Sequence, residues 1–527
     1  MSLIKRGPLN TLVLSDLHLG EDLAPTATEA TRLHVEIVEH QLVQFIRHYT
    51  RLREEGRPWR LVFNGDLIDF LTIAIGPEHP DFAFLAARPS PSPEEHKYGL
   101  RRSARSAVAV VDAVASRHAE VFRALARFLA RGNRVDIVCG NHDVELTWPA
   151  VQAAFRAGIA RAWRASPDAQ RPGARDPDDL ARGVEFHPWF FYEPGAFWIE
   201  HGHQYDECCS FEHLLDPRRP GGDDLVMNVD NAGARYVSNR VAEAEESWSM
   251  AGYLRFGAGL GLRGFMRLAL AYAKFLAAML AAWRHGRARP RVMEERRESH
   301  LARLRQLAEQ WSLPEEKLLA LDGGKRPPVI GHLRRLLSTL MLDRVVLYSL
   351  ALAASLAAAI WLSTPAAAAL AAGALAGAVA AVRVLSRDRL RHPGHFMPEA
   401  GARILETIDA RFVVFGHSHE PVAESVGTGG KMYFNTGTWV PNGKPGMLRS
   451  FTHLVIRQRE SGPLAQLCQW RDGTSRAFTP GWRPARAFGI AAEVAPAREA
   501  EPAAEAAAGA GGSGAGAPAA ARAARAS

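Results

Sequence analysis

Five short strings in this chain carry the side chain types that hold metals and move protons. In order they are Asp16-Leu17-His18, Gly65-Asp66-Leu67-Ile68-Asp69, Gly140-Asn141-His142-Asp143, His201-Gly202-His203 and Gly416-His417-Ser418-His419. Asp, Asn and His offer oxygen and imidazole nitrogen, a donor set suited to hard or borderline divalent cations. Mn²⁺, Fe and Zn²⁺ are all compatible with it. The cysteines, Cys139, Cys208, Cys209 and Cys468, show neither structural-zinc nor secreted-disulfide spacing.

Each string directly follows a short apolar run that reads as a buried strand: Thr11 to Leu14, Leu61 to Phe63, Val135 to Val138, Phe197 to Ile199 and Phe412 to Phe415. Five strand ends would therefore offer ligands to one place, as sheets with helical crossovers do at their carboxyl edges. Between the first two runs, Leu33, Ile37, Leu42, Phe45 and Ile46 recur at helical spacing and predict a crossover helix from Glu29 to Arg53. The pattern also predicts a proline-rich surface loop over 76–99, one long helix from Arg101 to Arg131, and a loop from Arg161 to Gly183. Val184 to Glu200 reads as two strands about a turn at Glu193-Pro194-Gly195, while Phe451 to Gln458 and Ala465 to Trp470 read as completing a second sheet.

The order DxH, GDxxD, GNHD, a lone His and GHxH resembles that of the calcineurin-like metallophosphoesterases, over roughly residues 10–210 and 395–460. The resemblance implies an α/β fold, layered as two sheets flanked by helices. It also implies two divalent metal ions, Mn²⁺ first among the candidates, and hydrolysis of a phosphate ester or pyrophosphate. Asp16, His18 and His419 would hold one metal; Asn141, His201 and His417 the other; Asp66 would bridge both. His142 would protonate or stabilise the leaving group, with Asp69 orienting it and Asp143 in a lesser supporting part. His203 matches no general ligand position and reads as a satisfied structural histidine. Within the family the pattern is similar to enzymes that cleave the pyrophosphate of UDP-2,3-diacylglucosamine, which implies a lipid-linked substrate. Those enzymes are much shorter, and residues 211–394 depart from them.

That long stretch reads as a helical insertion between residues 1–210 and 395–483 of one catalytic domain, with 484–527 an Ala/Gly/Pro-rich disordered tail. Over residues 260–285, Arg263, Arg267, Lys274 and His285 fall within about 40° of one another on an otherwise apolar helix, as on a helix lying in a membrane interface. A core helix with snorkelling cations gives the same pattern. Val345 to Ser363 and Ala366 to Val382 carry no charge, and each approaches the length that crosses ~30 Å of hydrocarbon, so 345–382 reads as a transmembrane hairpin. Arg334, Arg335 and Arg344 before it, and Arg383, Arg387, Arg389 and Arg391 after it, predict both ends on the cytoplasmic side of the inner or plasma membrane. Because ligands precede and follow the insertion, it must cross an even number of times.

The formal charge of +8 suits nucleic acid, an anionic membrane face or a phosphorylated substrate alike. A nuclease or cyclic-nucleotide phosphodiesterase would use the same five strings, although no basic stripe interleaved with aromatics accompanies them. From another class, a membrane scaffold with a vestigial metal domain is the competing reading.

Overall fold

The computed structural model describes residues 9–24, 26–73, 92–219, 223–241, 259–288, 290–340, 342–385, 394, 396–427, 429–440 and 450–478. Most of the proline-rich stretch, the tail beyond residue 484, and Arg387, Arg389 and Arg391 lie outside them. The described residues all belong to one compact unit, Met1–Gly481.

The architecture is α/β: two mixed sheets and fourteen α-helices among the described residues. Twelve strands are numbered in chain order: β1 Asn10–Leu14, β2 Trp59–Asn64, β3 Arg134–Val138, β4 Val184–His187, β5 Phe190–Glu193, β6 Phe197–Glu200, β7 Phe412–Phe415, β8 Pro421–Val426, β9 Lys431–Thr436, β10 Thr452–Arg459, β11 Gly462–Arg471 and β12 Thr474–Ala477. The larger sheet runs β12-β11-β10-β1-β2-β3-β4 and the smaller β5-β6-β7-β9-β8. Strands β1 to β4 are mutually parallel, as are β6, β7 and β9.

Period-two side chains assign each strand face. Leu12, Leu14, Leu61, Phe63, Val135 and Ile137 point to a core shared with helices, while Val13, Val62 and Val138 point to a second core shared with Ile199, Val414 and Phe434 of the smaller sheet. The alternate residues of that smaller sheet, Trp198, Val413, Phe415 and Tyr433, pack on Leu304, Leu307, Met397 and Ile404 from helices on its far side. The sheets thus lie inside and the helices outside.

The crossover helix Glu29–Arg51 starts at a Thr28/Thr31 capping box and buries Val35, Val38, Leu42, Phe45, Ile46 and Tyr49. Leu33 and Ile37, expected in its buried stripe, are 55% and 38% exposed, because that stripe begins at Val35. The expected long helix is two, Ala104–Arg117 and Ala119–Ala130, broken at His118. There the fully buried imidazole turns inward, with Nδ1 3.0 Å from Glu39 and Nε2 3.9 Å from Asp22. The stretch 161–183, expected as loop, continues the helix Pro149–Arg164 and adds a short helix Pro177–Ala181 capped by Asp176. Residues 184–200 hold three strands rather than two. Phe190–Glu193 and Phe197–Glu200 form the antiparallel pair, whereas Val184–His187 pairs parallel with β3 in the other sheet. Strands β10 and β11, expected in the second sheet, extend the first, since β10 pairs antiparallel with β1 through Leu12 and Val455.

Three helices of the insertion are long and apolar enough to cross a membrane: Gly261–Arg284, Leu342–Trp361 and Thr364–Val384. The last two pack on each other and expose Leu350, Leu352, Leu356, Leu370 and Leu375, with Trp361 83% exposed. Twenty residues at 1.5 Å rise give Leu342–Trp361 a length of about 30 Å. The helix Gly261–Ala288 is different. Ala271, Phe275 and Met279 are buried, the last two against Ala232, Tyr236, Val329 and Leu336, and Leu262, Phe265, Met266 and Leu270 stay exposed.

Candidate metal centre

The five strings converge at the carboxyl ends of neighbouring strands. Asp16 and His18 leave β1, Asp66 and Asp69 leave β2, and Asn141 and His142 leave β3, three adjacent strands of the larger sheet. His201 leaves β6, and His417 and His419 leave its neighbour β7. Hydrogen bonds tie the two edges together: Trp439 N donates to Asp16 O at 3.1 Å, and His417 N to Asp16 Oδ2 at 3.1 Å.

The backbone bends sharply to aim these side chains. Asp16, His18, Asp66, His417 and His419 have φ of 55°, 50°, 52°, 63° and 57°, the left-handed region that costs a non-glycine residue free energy and concentrates at functional sites. Two glycines are required by close approach. A Cβ on Gly140 would lie 2.2 Å from Asp66 Oδ1, and one on Gly65 would lie 2.2 Å from His201 Nδ1.

Three groups result whose ligand atoms lie within 4.8 Å of one another: Asp16, His18 and His419; Asp66, His201 and His417; and His18, Asp66 and His142. Such groups could hold a metal ion. Asp66 sits between the first two, its Oδ2 being 3.1 Å from His201 Nε2 and 3.9 Å from His18 Nε2. His419 Nε2 is 3.1 Å from Asp16 Oδ1. Asn141 Oδ1 is 3.2 Å from His201 Nε2, which brings the amide oxygen to the second group.

The donor set fits cations. His18 Nε2 is buried without a hydrogen-bond partner, and burial, aided by His142, holds the ring down to about 4, so its lone pair is free. His201 donates Nδ1–H to Asn64 O at 2.8 Å, fixing the tautomer that turns Nε2 inward. Burial pushes Asp16 and Asp66 up, but the imidazoles outweigh it, His419 and His201 for Asp16, and His201 and His142 for Asp66; both carboxyls stay below their usual range. Reciprocally, burial would lower His201, yet Asp66 and Asp16 carry it up to about 9. A divalent cation displaces such protons on binding.

His142 adjoins both groups, its ring 4.6 Å from that of His18. Its Nδ1 lies 3.1 Å from Asp69 Oδ1, and its backbone N–H donates to Asp66 Oδ1 at 2.9 Å. Burial works against its charge, but Asp66 and Asp69 raise it well above its ordinary value. Asp143 serves the turn itself, accepting from Gly140 N at 2.6 Å and Leu67 N at 2.8 Å. His203 is buried beside His201, and with the Gln204 amide turned to present its oxygen, Nε2 has a partner at 2.9 Å; Nδ1 has no hydrogen-bond partner. Half of that imidazole is thus satisfied.

Several residues escaped the sequence reading. Asp206 Oδ2 lies 3.2 Å from His417 Nε2, which leaves Nδ1 as the nitrogen for a cation. Asp230, on the short helix Val229–Gly233 of the insertion, accepts from Asn141 Nδ2 at 3.1 Å and lies 3.6 Å from His142 Nε2. Its neighbour Asn231 donates to Asn141 O at 3.3 Å and accepts from buried Arg102, itself paired with Glu145 at 2.6 Å. Glu21, pushed up to about 7 by burial and then by Asp69, completes the acidic surround. An Asp near a His was the only signal for Asp206, and for Asp230 there was none, because it lies about ninety positions from its partner. No protein-family model matches the chain, and no curated protein matches it.

Proposed function

We propose that this protein is a phosphoesterase working with two divalent metal ions, at a membrane surface. The observation that carries the reading is the position of Asp66 between two ligand groups, one drawn from β1 and β7, the other from β6 and β7. When bound, such a pair supplies Lewis acidity toward phosphoryl oxygens and a nucleophile at neutral pH. Asp16, His18 and His419 would hold one ion, Asn141, His201 and His417 the other, and Asp66 both.

The chain's own groups account for the rest of the chemistry. Asp69 fixes one face of His142 and favours its protonated form, which leaves Nε2 to donate a proton to the departing oxygen. Asp206 and Asn64 hold His417 and His201 in the orientations a cation requires. The buried, oxygen-lined floor favours positioning and charge stabilisation, which supply most of phosphoryl-transfer catalysis.

Membrane attachment is supported by the exposed apolar helices. Three crossings would set residues before 261 and after 385 on opposite sides of the bilayer, yet His201 and His417 both face Asp66. The Leu342–Trp361 and Thr364–Leu385 pair therefore crosses, while Gly261–Ala288, held by Phe275 and Met279, lies along the surface. This arrangement brings the site to lipid-linked phosphates.

The test is hydrolysis of bis-p-nitrophenyl phosphate by Mn²⁺-loaded full-length protein. Activity that falls at least 10²-fold in Asp66→Asn is expected. His142→Ala should lose about 10²-fold or more on alkyl esters and less on the p-nitrophenyl ester, whose leaving group needs no proton. No activity in the parent on phosphomonoesters, diesters or pyrophosphates would overturn the reading.

A further inference from the structure

At the opposite end of the larger sheet from the metal centre, an open cavity of about 940 Å³ is lined by seven arginines and one carboxylate, Asp168. Its place follows from topology: helices Glu29–Arg51 and Ala119–Ala130 return the chain to the start of the next parallel strand, so their C-termini lie at the amino edge of the sheet. Arg47, Arg51 and Arg53 come from the end of the first helix, Arg127 and Arg131 from the end of the second, and Arg171 and Arg175 from the loop before Pro177–Ala181.

Helix capping explains only part of this gathering. Arg53 donates to Arg131 O at 2.7 Å and to Asn133 Oδ1 at 2.6 Å, and Arg175 donates to Leu129 O at 2.9 Å, so these two satisfy carbonyls at a helix end. Asp168 is shared by Arg127 at 3.3 Å and Arg171 at 3.1 Å, and Arg47 reaches Glu120 at 3.2 Å. Arg51 and Arg131 have no carboxylate partner among the described residues. Burial, and to a lesser degree the charge of neighbouring Arg131, hold Arg53 below the ordinary guanidinium range. A concave surface of one sign focuses its field on an anion, and guanidinium forks match phosphate oxygens.

We propose that this cavity binds a compact polyphosphate anion, either as a free solute or as the headgroup of a lipid. A nucleic-acid strand is disfavoured, because Trp163, the one aromatic in the lining, is buried and offers no stacking face. The volume suits a ligand of a few phosphates.

Isothermal titration of full-length protein in detergent micelles freed of divalent metal, with tripolyphosphate in one arm and short-chain phosphatidylinositol 4,5-bisphosphate in the other, tests this. One site per chain is expected, weakening with salt. Affinity should fall at least about tenfold in Arg51→Gln/Arg131→Gln and stay within about twofold in Asp66→Asn, which separates the cavity from the metal centre. Tighter binding of the lipid assigns the anion to a headgroup, and tighter binding of tripolyphosphate assigns it to a solute. Absence of binding in both arms, or equal binding by the folded double variant, overturns the proposal.

Discussion

Asp230, a residue of the insertion, accepts a hydrogen bond from the side chain of Asn141, a residue of the β3 strand end, at 3.1 Å. An amide that gives its N–H₂ to Asp230 must present its oxygen to the other side, where His201 and Asp66 lie. The insertion thus reaches the candidate site as well as carrying the helices long and apolar enough to cross a membrane. Outer partners of this kind are worth about 10–100-fold in metal affinity or activity. Asp230→Ala should accordingly weaken Mn²⁺ binding by roughly that factor, and Asp230→Asn should recover part of it, measured by metal titration of the purified protein. Unchanged affinity in both variants would make Asp230 a bystander.

Gly140→Ala tests the close approach beneath Asp66. The added methyl would meet Asp66 Oδ1 at 2.2 Å and the Asp66 backbone nitrogen at 2.7 Å, and the second contact cannot be relieved by turning a side chain. Overpacking of this sort costs about 1–3 kcal/mol, and here it falls on the Asp66 carboxylate. The variant should fold with a modestly lowered melting temperature and lose metal-dependent activity at least as severely as Asp66→Asn. Parent-like activity would show that Asp66 has room to move.

These particulars mark how far the sequence could be read. Strand positions and the convergence of Asp16, Asp66, Asn141, His201 and His417 were legible because alternating apolar runs end in residues that do chemistry. Sheet membership was not: β4 and β10 each have patterns that suit either sheet, and only pairing across long sequence gaps decides. The break at His118 was hidden because the apolar period continues through it on both sides. Asp230 and Asn231 were hidden for a different reason, since a carboxylate that orients a ligand needs no local motif. The third long apolar helix was legible as a basic-striped element, and its buried Phe275 and Met279 distinguish it from the exposed pair.

The hairpin makes its own prediction. Ala351, Ala358 and Ala378 are the buried positions where the two helices and their surroundings approach closely, while Leu352 and Leu356 face outward. A charge at the bilayer centre costs about 2.5–3.5 kcal/mol by insertion scales. Leu352→Arg should therefore release a fraction of the protein from membranes under alkaline carbonate, whereas Leu262→Arg, on the helix proposed to lie along the surface, should leave it embedded. Complete carbonate extraction of the parent would exclude a spanning hairpin.

His453 on β10 sits fully buried, its Nε2 2.8 Å from Ser475 Oγ and its ring against Phe45. Burial, reinforced by Arg457 and His48 against the Phe451 carbonyl, pushes it down to about 3 from an ordinary 6.5. The unfolded chain therefore binds more protons than the folded one between these values. The contribution is fully present above pH 6.5 and is lost as pH falls toward 3, each unit costing about 1.4 kcal/mol at most. Melting temperatures in detergent should fall less steeply over that window in His453→Gln than in the parent. Parallel pH profiles would remove His453 from the acid response.

Anomalous-scattering maps from crystals grown with Mn²⁺ would show whether Asp66 stands between two cations. Two peaks are expected, one among Asp16, His18 and His419, the other among Asn141, His201 and His417, with the Asp66 carboxylate against both. A single peak remote from Asp66, or none at full Mn²⁺ saturation, would remove Asp66 from the bridging role.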